Sequence, residues 1–367
     1  MKSTVQSPKR RIDFELMRII ACFLVIFNHL PGYTLYQTAT NLPKIWLCML
    51  LTMVTRINVP LFLMISGALL LGKEGEHYST IFTKRIARIC CVILLFTGLL
   101  YIISKWNSLD QLSLWQYLRY VLAEPSKLGG GAYWYLYSYV GFLLMLPFLR
   151  RISGRMNEQD FLLLLLLHFI FSTLQPVANL LLKANGKEFI TISKSFSQMM
   201  VFGTVKAIFY PIIGYFLDKR IKVEQLKKTH MLILLIMALS GILLSCGCTY
   251  YEGTHDEMVF TQNYVQLFDY LTAICVFITI KYYCIQYDGF STHPNLVRVI
   301  GIIGSLTFGI YLFDPVLRRT LYDKLIVLLA LDMKPMLSSL LWCISSMCIG
   351  GLITTCLKRL PWVQKLF

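Results

Sequence analysis

The first apolar stretch of the chain carries three side chains that could do chemistry inside a membrane. Glu15 and Arg18 are three residues apart and can neutralise each other as an i, i+3 pair. His29 follows Arg18 after about three helical turns, or about 16 Å, which places both side chains on one helix face. A lone buried histidine is usually structural, but the alignment of His29 with an ion pair favours a functional role.

A second apolar stretch holds another buried cation. Arg56 comes before Pro60 in a segment that runs back across the membrane. A rise of about 1.5 Å per residue places Arg56 near the depth of His29, and Pro60 permits a kink. We expect Arg56 and His29 to line one polar cavity. The alternative is that Arg56 pairs with a carbonyl group or extends outward to the interface.

A basic cluster follows at the predicted inner surface. Lys84, Arg85 and Arg88 could hold the phosphates of a nucleotide-like cofactor. Taken alone, the cluster is explained better by the usual excess of Lys and Arg on the cytoplasmic side of membrane proteins.

Aromatic and acidic residues lie near the predicted outer ends of later apolar stretches. Trp134 and Tyr135 open the fourth stretch, and Asp314 lies near the end of the ninth. Aromatic residues at an interface usually anchor the protein in the membrane, but they could also line the mouth of a substrate site. Asp314 could be no more than a solvated end residue. Lys206 and Asp269 are further charges within apolar stretches, and the sequence suggests no partner for either.

These side chains require a scaffold of membrane-spanning helices. Of the 367 residues, 56% are hydrophobic and 15% are charged, whereas a soluble protein carries about a quarter charged residues. Because one crossing needs about 20 apolar residues, the sequence predicts an all-α, polytopic transmembrane bundle of about ten helices. The predicted spans are 12–32, 45–71, 86–104, 132–149, 161–181, 196–217, 231–250, 264–284, 296–317 and 336–357.

The basic residues orient this bundle. Most of the 35 Lys and Arg residues fall on the cytoplasmic side if both termini are cytoplasmic. The net charge of +16 therefore needs no nucleic acid to explain it. We expect a cytoplasmic tail at 1–11, a transmembrane domain at 12–357 and a second cytoplasmic tail at 358–367.

The order of the motifs resembles the bacterial acyltransferase type three family, integral membrane O-acyltransferases that modify cell-surface glycans. The resemblance runs from about residue 10 to 357, and Tyr133 and Asp314 depart from it, since both stand where the family often has His. The chain looks like the stand-alone form, without the extracytoplasmic domain of many relatives. The matching motifs are Glu15-Leu16-Met17-Arg18 with His29, Arg56 with Val59-Pro60 and Ser66-Gly67, Lys84-Arg85 with Arg88, Tyr133-Trp134-Tyr135, and Phe308-Gly309-Ile310-Tyr311-Leu312.

The resemblance implies an O-acyltransferase of the plasma membrane, most often an O-acetyltransferase. The donor substrate would be cytoplasmic acyl-CoA, chiefly acetyl-CoA, and the acceptor a hydroxyl of a cell-surface or lipid-linked glycan. No permanently bound cofactor or metal is expected. The roles implied are catalysis for His29, Arg56 and Glu15, donor binding for Arg18, Lys84, Arg85 and Arg88, and substrate contact for Trp134, Tyr135, Ser66 and Asp314.

Two other functions remain open at this point. A transporter or flippase also places polar residues on its spans, and a membrane sensor could use the same fold for binding alone. The intact set of Glu15, Arg18 and His29 favours the enzyme. The sequence leaves open the acceptor, the acyl chain, the oligomeric state, and whether His29 is a general base or carries the acyl group.

Overall fold

The structure, a computed structural model, describes residues 11–30, 41–73, 75–123, 132–186, 206–255, 260, 263–286, 293–328 and 334–367. In this part of the chain the regular secondary structure is helical, so the predicted all-α class is confirmed. The helices are α1 (Ile12–Asn28), α2 (Leu42–Thr55), α3 (Asn58–Leu70), α4 (Tyr78–Ser104), α5 (Leu114–Leu122), α6 (Trp134–Arg155), α7 (Glu158–Ala184), α8 (Lys206–Lys219), α9 (Lys228–His255), α10 (Asp269–Gln286), α11 (Pro294–Leu328), α12 (Pro335–Leu357) and α13 (Pro361–Gln364).

Six helical segments of the described residues are long and apolar enough to cross a membrane. They are α2 together with α3, α4, α7, α9, α11 and α12. The chain is therefore a membrane protein, while the count of ten spans and the cytoplasmic termini stay predictions. The predicted span 196–217 begins outside the described residues, and its described part is α8.

The predicted span 45–71 is two helices rather than one. Helix α2 ends at Thr55 and α3 begins at Asn58, so that Arg56 lies at the break. Pro60 explains the position of this break, because it has no N–H to donate to the carbonyl group of Arg56, four residues earlier. The break therefore places a cation at a helix end instead of on a continuous helix face.

The core of the bundle forms around α1, which packs against α3, α10, α11 and α12. Helix α3 in turn packs along α8 at two glycines. A Cβ atom on Gly67 would lie 1.9 Å from the carbonyl oxygen of Pro211, and one on Gly214 would lie 2.1 Å from that of Met64. The two backbones approach this closely only because both positions are glycine.

Lys206 and Asp269 meet across α8 and α10. The Lys206 Nζ lies 3.2 Å from a carboxylate oxygen of Asp269, and the Tyr210 hydroxyl donates to the other carboxylate oxygen at 2.8 Å. Asp269 is buried. This pair accounts for the two charges whose partners the sequence did not suggest.

Candidate active site

A cavity of about 500 Å³ opens among α1, the α2–α3 break, α4, α6 and α11. It brings together eight of the side chains that the sequence singled out. They are Glu15, Arg18, His29, Arg56, Ser66, Arg88, Trp134 and Tyr135. Lys84, Arg85 and Asp314 lie outside its lining.

His29 stands at the end of α1 with its ring on the cavity. The helix stops at Asn28, and His29 has left helical geometry with φ −90° and ψ 4°. The sequence continues Leu30-Pro31, and a residue before proline is disfavoured in a helix. The ring is partly buried, and its Nδ1 atom lies 3.3 Å from a carboxylate oxygen of Asp314. Arg318 donates a hydrogen bond to the backbone carbonyl of His29.

The ion pair expected on α1 is formed. Arg18 donates to Glu15 at 3.1 Å, and Glu15 is buried while Arg18 is partly exposed. Gly304 on α11 makes room for this carboxylate, since a Cβ atom there would lie 2.2 Å from Glu15 Oε2. From Glu15 to His29 the cavity follows α1 for about 21 Å. The cavity is therefore long, with an ion pair at one end and an imidazole at the other.

Arg56 joins the cavity from the α2–α3 break. Its backbone N–H donates to Met53 as the last turn of α2 tightens, and its partly buried side chain lines the cavity together with His29. Asn28 lines the cavity as well and donates from Nδ2 to the carbonyl group of Thr55 at 3.4 Å. The Oδ1 atom of Asn28 is buried and has no hydrogen-bond partner in the described structure. An unpaired buried acceptor of this kind suits a substrate N–H or O–H group.

Aromatic rings form the apolar side of the cavity. The Tyr135 ring centroid lies 5.9 Å from that of Phe62 and 6.2 Å from that of Tyr311. Trp134 is half exposed at the start of α6. Ser66 lines the same wall, and its hydroxyl donates to the carbonyl group of Phe62 at 2.8 Å. This wall can hold an apolar chain between the polar ends of the cavity.

The predicted basic cluster divides between two surroundings. Arg88 lines the cavity, and its guanidinium lies 6.0 Å from the ring centroid of Phe308. Arg85 instead pairs with Glu76 at 2.7 Å, and the other carboxylate oxygen of Glu76 accepts from Arg150 at 2.7 Å. Lys84 is exposed. Residues three apart share a face of a regular α-helix, but Arg85 lies within the π-helical segment Ile81–Ile86, whose wider turn changes its register with Arg88.

Several cavity residues were missed by the sequence analysis. Asn28, Tyr139 and Lys358 also line the cavity, and Lys358 donates from Nζ to the carbonyl group of Ser305 at 2.7 Å. Tyr311 lines it too, and the sequence analysis named it only as part of a motif. Asn28 could have been found, since it directly precedes His29. Lys358 could not, because a lysine at the end of an apolar segment is expected of any inward-facing helix end.

Comparison with known proteins decides the family. Residues 11–355 match the sequence model of the family described as acyltransferase domain. The chain belongs to this acyltransferase family. No curated protein and no solved structure matches the chain. The acyltransferase is thus a membrane enzyme that transfers acyl groups, and the cavity described above contains the residues suited to that chemistry.

Proposed function

We propose that this acyltransferase moves an acetyl group from cytoplasmic acetyl-CoA to a hydroxyl of a cell-surface or lipid-linked glycan, in the plasma membrane. The observation that carries the proposal is the shared cavity of His29, Arg56, Arg18 and Arg88. Its cations lie at both ends of a chamber about 21 Å long. That arrangement suits a donor whose phosphates and reactive thioester are far apart.

His29 and Arg56 suit the transfer step. The acceptor hydroxyl oxygen attacks the thioester carbon, the carbon–sulfur bond breaks, and the hydroxyl proton passes to the free Nε2 of His29 and then to the leaving CoA sulfur. Negative charge develops on the thioester oxygen during the attack, and the guanidinium of Arg56, which lines the same cavity as His29, stabilises it. No net oxidation occurs, and the products are the ester and CoA.

Arg18 and Arg88 suit the phosphates of the donor. Guanidinium groups form bidentate, charge-assisted hydrogen bonds with phosphate oxygens. Arg18 pairs with Glu15, and Arg88 lies on the ring of Phe308, one helical turn from Gly304, which contacts Glu15. Phosphates bound at this end leave the aromatic wall for the pantetheine chain of the donor. In the predicted topology this end faces the cytoplasm, where acyl-CoA is found.

The test is acetyl transfer by the purified protein in lipid nanodiscs, followed as CoA thiol release from acetyl-CoA with and without extracted glycan. Acceptor-dependent release is expected. His29→Ala should lower turnover by about 10²- to 10⁴-fold. His168→Ala is the matched control, because His168 is buried on α7 and does not line the cavity. Its ring stacks on that of Phe209, with 3.7 Å between the ring centroids.

Mass spectrometry of envelope glycans from a deletion strain and its parent identifies the acceptor. Loss of acetyl esters in the deletion strain is the expected result. The proposal fails if the parent protein releases no CoA with any envelope fraction, or if His29→Ala keeps parental turnover.

A further inference from the structure

Asp314 is a buried carboxylate with three polar neighbours. It lies on α11 with a relative exposure of 1%. Its Oδ1 atom accepts from the indole N–H of Trp342 at 3.2 Å and from the hydroxyl of Ser346 at 2.9 Å. Its Oδ2 atom lies 3.3 Å from Nδ1 of His29. Both α12 donors are themselves buried and one helical turn apart.

The donors on α12 determine how Asp314 meets His29. An indole N–H can only donate, so Oδ1 is an acceptor, and the Ser346 hydroxyl adds a second hydrogen bond to the same oxygen. Oδ2 is left to face the imidazole. A carboxylate in this position is the usual partner of an Nδ1–H group, which leaves the lone pair on Nε2.

We propose that Asp314 is a positioning residue for His29, which fixes the Nδ1–H tautomer, aims Nε2 into the cavity and stabilises the imidazolium formed during transfer. The proposal rests on the proposed role of His29 as the base. It differs from substrate contact, the role expected from the sequence, because Asp314 is buried behind the imidazole and does not line the cavity.

The fixed charges near the pair are two cations, Arg318 and Arg56. Groups that face Asp314 from α1, α6, α11 and α12 are Cys22, Tyr133, Tyr311 and Cys343. Thiols and phenols are neutral near pH 7. Arg318 is a permanent cation on the backbone carbonyl of His29, and Arg56 lines the cavity on its other side. Both cations disfavour a charged imidazole, so Asp314 is the group that can favour it.

The experiment is the pH profile of kcat/KM for acetyl-CoA with Asp314→Asn. Asn preserves the shape of the side chain but removes its charge, and it can present an N–H to Nδ1 and favour the wrong tautomer. We expect kcat to fall by about 10²- to 10⁴-fold, as in other carboxylate–histidine pairs, with KM for acetyl-CoA within about twofold. The acid limb of the residual activity should move down by about 1 pH unit, because the imidazolium has lost its counter-charge.

Ser346→Ala is the matched variant, and it predicts a shift of the opposite sign. It keeps Asp314 and His29 but removes one hydrogen bond from Oδ1, which makes the carboxylate more basic. The acid limb should therefore rise by a few tenths of a pH unit. If Asp314 had a purely structural role, both variants would lose activity, but the acid limb of the pH profile would not move in either variant. This variant also keeps the test decisive if Asp314→Asn does not fold.

The outcomes separate this proposal from the one it rests on. Parental kcat and pH profile in Asp314→Asn, or an unmoved acid limb in Ser346→Ala, overturn the role of Asp314 while an inactive His29→Ala still supports the transfer function. Parental turnover in His29→Ala overturns both.

Discussion

Arg18 and Arg56, two of the three arginines that line the cavity, should affect different kinetic constants when they are replaced. Arg18 lies about 16 Å from His29 along α1. Arg56 lies at the α2–α3 break, where the neighbouring Thr55 carbonyl accepts from Asn28, the residue before His29. A charge-assisted hydrogen bond to a donor phosphate contributes about 1.5–3 kcal/mol. Arg18→Ala should therefore raise KM for acetyl-CoA by about 10- to 150-fold while kcat changes little.

Arg56→Ala should lower kcat instead. A cation that stabilises the oxyanion acts mainly in the transition state, and loss of one such donor costs about 10²- to 10³-fold. Arg56→Lys should recover part of the loss, because a cation remains although its geometry differs. Steady-state kinetics against acetyl-CoA, at saturating acceptor, measure both constants.

Arg151→Ala is the control for a general loss of positive charge. Arg151 lies near the C-terminal end of α6, outside the cavity, and it donates to the Tyr78 hydroxyl at 2.7 Å. Its removal should leave both constants within about twofold of the parent. If Arg56→Ala changes only KM while Arg18→Ala changes only kcat, the assignment of the two ends of the cavity is reversed and the reasoning is refuted.

Two predictions concern the scaffold. Reporter fusions after Lys105 and Arg155 should read outside and inside, respectively, and the same compartment for both would contradict the ten-span topology. Burial raises the pKa of Glu76, but hydrogen bonds from Arg85 and Arg150 outweigh it, so the pKa lies below its ordinary value. Glu76 therefore contributes fully to the stability of the folded protein above about pH 4.3, the pKa of the unfolded state. This contribution is lost as the pH falls through the lower pKa of the folded state. Glu76→Gln should lower the melting temperature in detergent at pH 7. The difference from the parent should shrink as the pH falls below about 4.3, and a difference that does not shrink would contradict this.

The sequence was most informative where one helix held several of the predicted site residues. The spacing of Glu15, Arg18 and His29 predicted a single face of α1, and the structure shows the ion pair and brings all three to one cavity. Local spacing determines such a face, because the helix repeat is fixed. The same reasoning placed Arg56 near His29 from depth alone, and both line the cavity.

The sequence was least informative about contacts between distant helices. Trp342 and Ser346 lie on an apolar helix, and nothing in their spacing indicates a bond to Asp314. The pairing of Lys206 with Asp269 likewise depends on which helices become neighbours. Arg85 and Arg88 were expected to act together, but Arg85 lies in the π-helical segment Ile81–Ile86, which changes the register that this expectation assumed.

The crossing of α3 and α8 has a consequence for how the family varies. At Gly67 the obstacle to a larger residue is the backbone of Pro211, and at Gly214 it is the backbone of Met64. A clash with a side chain can be relieved by a second substitution that shortens this side chain, but no substitution removes a backbone atom. A compensating change is therefore unavailable at either site. Both glycines should therefore be invariant among homologues that keep this crossing. Positions that never change in a sequence alignment show no covariation. Methods that infer contacts from correlated substitutions would therefore not detect this contact.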